Sequence, residues 1–450
     1  MGTGVLVAAA LALGAQQGVD PTEVLREARP KLATIVQRLP RYTCVQTVQR
    51  SYFRQGPRLQ NATCEESVEW HRLAKRRLLE LADRLRLEVA IEEGSEMYGW
   101  VGVRHFESTP LWDLVEGPIG TGAFGSFLVD VFGPAAPQFE YKGEEDVNGQ
   151  SLLTYHFQVP QEASTYRFEA RGKSWMTGYE GEFWLDRSGE LWRLMVRITT
   201  PREDLGMCAA DTSVDLHRVR IGTGDYLLPS ASRFSVVGTG YETLNVTTFS
   251  ACREYHGESV LHFDGASAVD GAEAPTTPTP GAEGAKLPAG LQVALALQDE
   301  INWNTAAAGD PIVVKVRKDI TEGKPKRVLV LAGAIVRGRL TRVAHQVGPR
   351  AAYLVSISFE TLENSGKIIP FSAKLDPHED PLMKRYVVTV DQLAAEGPHG
   401  PVPGPKLPPD AEFSWGQTLV FQSADKNYVL KRGFESHWLT TDTVWPVRLR

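Results

Sequence analysis

The sequence predicts a mostly β fold in two parts: an α+β half-barrel opened by a long N-terminal helix, then a small all-β barrel. Three observations predict it. Apolar and polar residues alternate with a period of two along many short stretches, the mark of antiparallel strands with one face buried. One strongly signalled amphipathic helix stands near the start. Between the two strand-rich blocks lies Gly265 to Ala285, almost entirely Ala, Gly, Pro, Thr, Ser and acids, which cannot bury a core and reads as a disordered linker. The 450 residues suit two or three domains at roughly 150 residues each. With 42% apolar and 23% charged residues the composition is that of a globular protein, which excludes collagen, coiled-coil and wholly disordered chains. The 48 basic residues against 55 acidic ones give a net charge of -7, leaving no basic excess to neutralise phosphates, so no nucleic-acid partner is expected.

The first element is a leader. Val5 to Leu13 is an apolar run of nine, shorter than the 20 or so residues of a membrane span but suited to the core of a secretory signal. Ala10-Leu11-Ala12 and Leu13-Gly14-Ala15 both fit cleavage, so residues 1–15 read as a signal peptide, although Met1 to Gly4 carry no basic residue. Gln16 rather than Cys follows, which argues against a lipid anchor, and no other segment is apolar enough to span a bilayer. The helix comes next. Asp20 is its N-cap, Pro21 stands at N1 and Glu23 at N3, and Val24, Leu25, Ala28, Leu32, Ile35, Val36 and Leu39 share one face. Pro30 predicts a kink or break and Pro40 ends the element.

A β-branched stretch, Tyr42 to Phe53, and a second helical stretch, about Glu65 to Ala82, follow. Strands then dominate: Leu85, Leu87, Val89 and Ile91 alternate with polar neighbours, as do Leu153 to Val159, Tyr166 to Ala170, and Trp192, Leu194, Val196 and Ile198. Asp186 to Gly189 reads as a hairpin turn, and Phe124 to Phe132 as a short helix stopped by Gly133-Pro134. The N-terminal domain therefore covers 20–264. Beyond the 265–285 linker, the second domain covers 286–450, with strands around Val293, Ile312, Val328, Leu354 and Thr418 and a Pro/Gly-rich insertion at 397–409.

Four cysteines, Cys44, Cys64, Cys208 and Cys252, allow three pairings. No Cys-x-x-Cys occurs, which argues against a zinc ribbon or a thioredoxin-like site. An export signal with an even count predicts two disulfides, and the sequence-local pairs, Cys44 with Cys64 and Cys208 with Cys252, are expected; four buried free thiols are the alternative.

Motifs that carry chemistry are few. Gly120 to Gly125 matches G-x-G-x-x-G, but the dinucleotide fingerprint needs a buried strand before it and a βαβ unit around it; a Gly-rich loop entering a short helix is the better reading. His378-Glu379-Asp380 reads as a solvated turn rather than a metal site, and Glu144-Glu145-Asp146 as a hairpin tip. Asn61-Ala62-Thr63 and Asn245-Val246-Thr247 are formal glycosylation sequons only. No G-x-S-x-G or H-E-x-x-H occurs. The sequence therefore assigns no catalytic residue, cofactor or metal ligand.

Two resemblances add to this reading. The order of a long helix and a run of antiparallel strands resembles the half-barrel of the periplasmic lipoprotein-sorting carriers. The phrases at Leu39 to Phe53, Ile119 to Phe132, Tyr179 to Leu194 and Thr247 to Ser259 resemble a family of secreted bacterial proteins common in acidobacteria, a likeness that implies no activity. From Lys286 to Leu375, the phrases LPAGLQVALALQDEI, AAAGDPIVVKVRKDI, VLVLAGAIVRGRL and YLVSISFETLENSGKIIPFSA resemble the small β-barrel of TrbI-like conjugation-channel proteins. The long stretch after Leu375 departs from that pattern.

The sequence-based reading is thus an exported, non-enzymatic envelope protein, periplasmic or secreted. Its half-barrel binds a lipid or other hydrophobic ligand on the face carrying Leu85, Leu87, Val89, Ile91, Tyr166, Phe168, Trp192, Leu194 and Val196. The same residues serve equally as core if the first helix closes over them. The alternative role is a structural or assembly protein that binds other envelope proteins through both domains.

Overall fold

A computed structural model describes residues 19–442 apart from 36–40, 55–61, 75–76, 93–94, 103–110, 116, 134–136, 148, 171–172, 255–286, 349–350, 377–417 and 424. The expected leader, linker and Pro/Gly-rich insertion, together with His378-Glu379-Asp380, lie outside the described residues. The fold is mostly β, as its alternation predicts.

Helix α1 (Pro21–Ala33) begins as expected: the Asp20 side chain accepts from the Thr22 amide and Pro21 opens the first turn. It passes through Pro30 and ends one turn later, buries Val24, Ala28 and Leu32, and turns Arg26, Glu27 and Arg29 outward. Strand β1 (Tyr42–Arg54) follows. Helix α2 (Cys64–Leu73) starts with a full capping box, Thr63 and Glu66 each bonding the other's backbone amide. It stops at Leu73, so the second predicted helix is only half right: Leu78 onward is strand β2 (Leu78–Glu92). The Leu- and Arg-rich stretch LLELADRLRLE favours a helix locally, but ten cross-strand partners on β1 hold it extended.

After β3 (Ser95–Trp100) come two short helices, α3 (Leu111–Leu114) and α4 (Ser126–Phe132). Strands β4 (Phe139–Val147), β5 (Gln150–Val159), β6 (Arg167–Ala170), β7 (Lys173–Met176), β8 (Tyr179–Leu185), β9 (Leu191–Ile198), β10 (Met207–Ile221), β11 (Gly224–Gly238) and β12 (Tyr241–Glu254) complete the first half. Ten of these form one antiparallel sheet in the order β4-β5-β8-β9-β10-β11-β12-β1-β2-β3, with β6 and β7 a separate hairpin. The inner face of the sheet is apolar and covered by α1, α3, α4 and the β6–β7 hairpin.

The second half comprises β13 (Gln292–Leu297), β14 (Ile301–Asn302), β15 (Pro311–Val316), β16 (Ile320–Glu322), β17 (Arg327–Val330), β18 (Ile335–Gln346), β19 (Ala352–Asn364), β20 (Lys367–Pro370), β21 (Ala373–Leu375), β22 (Thr418–Gln422), β23 (Val429–Leu430) and β24 (Glu435–Thr440). Its ladders run β13-β15-β18-β19, then through the consecutive strands β20 and β21 to β24, which pairs back to β13. The barrel is therefore closed, around a core that includes Leu295, Val314, Val336, Val355, Leu362, Phe371 and Trp438.

The two halves share hydrogen bonds. The end of β18 runs beyond β15 and, still paired with β19 on one side, pairs with β2 on the other, Ala344 opposite Asp83 and Gln346 opposite Leu81, and the Val347 amide donates to Glu80 O at 2.7 Å. Next along β2, the Arg86 amide donates to Ala308 O at 2.7 Å and the Ala308 amide to Arg84 O at 2.8 Å; β3 takes over from Leu87. Gly309 must be glycine here: its φ is +104° and a Cβ would stand 2.0 Å from Arg86 O.

The four cysteines form two disulfides, but in neither of the expected pairs. Cys44 bonds Cys252, and Cys64 bonds Cys208. The sheet decides this. β1 lies beside β12, which starts 187 residues after it in sequence but faces it strand to strand, and the register shift between Thr43 and Val45 sets Cys44 against Cys252. Cys64 ties the first residue of α2 to β10.

Candidate functional site

The inner face is built across the sheet by register. Val48 opposes Leu85, Cys44 opposes Val89, Val214 opposes Leu194, Leu194 opposes Phe183, and Phe183 opposes Tyr155. Eight of the nine residues read as the ligand face point into this interior. Leu85, Leu87, Val89 and Ile91 pack with Tyr42, Tyr98 and Phe124 under α3. Leu194 and Val196 pack with Phe157, Phe183, α1 and α4. Tyr166 and Phe168 belong to the β6–β7 segment rather than the sheet and cover it, Phe168 against Phe234 and Tyr166 against Phe127.

Trp192 is the correction. It is 40% exposed and lies on the outer face. Trp184 pairs with Arg193, but the next residue, Leu185, pairs with Leu191, so Trp192 is the extra residue of a β-bulge. Leu191 and Leu194 both point inward across that bulge, and a strict count of two from Leu194 places Trp192 on the wrong side.

The face is buried and aromatic. Tyr155 stacks on Phe183, and Phe132 and Phe139 meet Phe183 edge-on. Burial pushes the Tyr155 and Tyr166 hydroxyls up to about 12, so both stay neutral donors. Tyr155 donates to Pro21 O at 2.7 Å, the one polar bond between this floor and α1 among the described residues. Tyr179 donates to Asp130 of α4 at 3.1 Å, and burial followed by Asp130 raises its pKa further. α1 covers the floor with three buried side chains, Val24, Ala28 and Leu32.

The glycine-rich loop has a partner of its own. The Gly122 amide donates to Glu96 Oε2 at 2.8 Å and the Phe124 amide to Oε1 at 2.9 Å, and Tyr98 donates to the same carboxylate. The amides that would hold a phosphate in a dinucleotide fold are filled by an internal anion. Glu144 pairs with Arg187 at 2.7 Å, Glu145 accepts from Trp184 Nε1 and Asp146 from the Gly149 amide, as fits a hairpin tip.

A buried charge cluster was invisible in the sequence. Glu242 on β12 is fully buried beneath α2, with His71 Nδ1 2.9 Å from one oxygen and Arg77 Nη1 2.6 Å from the other. Ser67, one turn before His71 on the same helix, is fully buried. This places serine, histidine and glutamate near one another, yet a nucleophile closed off from solvent cannot meet a substrate, and the cluster reads as the clamp that seats α2. Nothing in the spacing of residues 67, 71, 77 and 242 announces it. Among the described residues no group of three or more His, Cys, Asp or Glu is placed to hold a metal, and no helix is long and apolar enough to cross a membrane.

No family model matches the chain, and no curated protein matches it. Among solved structures it is similar to a LolA-superfamily protein from Nitrosomonas europaea (8% identity, TM-score 0.24, 52% of this chain and 93% of that one). It is also similar to a putative outer membrane lipoprotein-sorting protein domain from Vibrio parahaemolyticus (10%, TM-score 0.24, 53% and 93%). A third is a DUF1329 family protein from Desulfovibrio piger (12%, TM-score 0.19, 52% and 94%). The overlaps are too loose to transfer a role.

Proposed function

We propose that the protein is an exported, non-catalytic binding protein of carrier type, whose first half takes a lipid or other hydrophobic ligand in the place of α1. The observation that carries this is the unequal attachment of the inner face and its cover. The aromatic floor is fixed by the continuous ladder of ten strands. α1 rests on it through Val24, Ala28 and Leu32, fully buried, with Leu25 and Ala33 half-buried beside them, and one hydrogen bond, and no disulfide reaches it. Burying those three side chains is worth on the order of 5 kcal/mol. An apolar ligand covering the same area returns an amount of that order, set against the cost of fixing a separate molecule on the floor. Two disulfides suit an oxidising, extracytoplasmic compartment.

The assembly alternative asks for an exposed strand edge. Edge strand β4 carries Glu140, Lys142, Glu144, Glu145 and Asp146, charges that discourage pairing, and the stretch of β2 that β3 leaves open is paired by the second half. The test is to extract the purified protein with organic solvent and titrate it with a lipophilic, environment-sensitive dye. Saturable dye binding is expected, and it should tighten in Ala28→Glu, which loosens α1. No extracted lipid and no saturable binding in either form would remove the carrier reading.

A further inference from the structure

On the outer face of the sheet, away from the apolar floor, the seam between the halves forms a groove of about 320 Å³. Its floor is three adjacent strands: Arg84 and Arg86 of β2, their β1 partners Gln49 and Thr47, and Thr248 of β12 opposite Thr47. Its wall is the Trp303–Ala306 segment of the second half, which brings Asn304 over the sheet. None of the lining residues is acidic, in a chain of net charge -7.

The two arginines differ. Arg86 pairs with Asp310 and donates to Thr305 O, so its charge is met. Arg84 Nη1 donates to Trp303 O at 3.2 Å and Ala306 O at 3.4 Å, and no carboxylate stands within ion-pair distance of it among the described residues. A guanidinium presents five donors in a planar fork, and these two long bonds use one nitrogen. One positive charge is left over, and Thr47, Gln49, Thr248 and Asn304 surround it with groups that both donate and accept.

We propose that this groove binds a small hydroxylated monocarboxylate about the size of one sugar ring, the class of the uronic acids. One surplus charge matches one carboxylate, which the Arg84 fork takes edge-on. Hydroxyls on a ring also donate and accept, as do the threonines and amides around them. Val246 offers the one apolar patch, suited to the C–H face of a ring. The volume lies at the lower end for ligand sites, as a single ring requires. A phosphate dianion fits less well, because Asp310 has already taken the second arginine.

Calorimetric titration of the full chain with glucuronate, glucose and inorganic phosphate tests this. Saturable binding of glucuronate is expected, with glucose weaker by about tenfold or more. Arg84→Gln should weaken glucuronate by about tenfold or more. That variant also loses two bonds across the seam, so Thr248→Val provides an independent reading. Thr248 is exposed, and its loss should weaken glucuronate a few-fold while the melting temperature stays put. The proposal fails if glucuronate does not bind, if glucose binds as well, if phosphate binds more tightly, or if both variants bind like the parent. Loss of dye binding on the inner face would leave it untouched, because the two faces are separate.

Discussion

The two halves solve the same problem by different means. The second closes its sheet on itself, with β20 and β21 together joining β19 to β24, and the interior is plain packing, from Leu295 to Trp438. The first leaves its sheet open and compensates with covers and clamps: four helices, a folded-over hairpin, both disulfides, the Arg50–Asp83 ion pair and the Glu242 cluster. An open sheet has to be finished by something other than itself, and each finishing device is a point where it can be undone.

The largest expected effect separates the halves chemically. The disulfides close loops of 208 and 144 residues in the first half, each worth on the order of 5 kcal/mol by chain entropy. Reduction should lower the melting transition of the first half and leave the barrel nearly unchanged. Non-reducing peptide mapping should join Cys44 to Cys252 and Cys64 to Cys208; any sequence-local pair would contradict the sheet order. Removing a partner from a buried ion comes next. Arg77→Met leaves Glu242 buried with His71 alone and should cost roughly 3 kcal/mol in urea unfolding, and a cost under about 0.5 kcal/mol would show that the cluster does not clamp α2.

The bulge offers a sharper contrast within one strand. Leu194→Ala should cost about 3 kcal/mol and Trp192→Ala less than about 0.5 kcal/mol; equal losses would put both side chains indoors. The smallest effect is acid sensitivity of the second half. His345 on β18 lies flat against Tyr353, ring centroids 4.2 Å apart, and burial holds its pKa below the ordinary 6.5. The unfolded chain therefore binds the proton more readily. This contribution to stability is present above about pH 6.5 and is lost as the pH falls through that value toward the folded pKa. His345→Gln should flatten that part of the stability profile, and an unchanged slope would count against it.

Much of the architecture was legible because alternation is a local signal. Leu85 to Ile91 announced a strand with one buried face, and Asp20-Pro21 announced the start of α1. Three things were not legible. A bulge inserts one residue and silently reverses the phase, which misplaced Trp192. Helical propensity in residues 78–82 was overruled by a partner strand that propensity does not contain. Disulfide pairing and the Glu242 cluster depend on which strands become neighbours, and Cys44 meets Cys252 only because β1 lies beside β12. Of the candidate site, the apolar residues were readable; that Leu194 and Val196 lie beneath α1 belongs to contacts more than 100 residues apart, and that Arg84 faces a groove made by residue 304 to contacts more than 200 apart.

The strand that straddles both ladders sets an order of events. β1 is among the first elements made, yet it waits for β12, and β2 keeps part of one edge unpaired until Ala308 and then Ala344 to Gln346 exist. A chain emerging N-terminus first thus carries an unfinished sheet through most of its own synthesis. Contacts this distant in sequence form slowly, because long loops must close before any bond rewards them. During that interval residues 80–86 are an exposed template for foreign strands. A nascent chain arrested before residue 308 should accordingly need a holding partner that the finished protein does not.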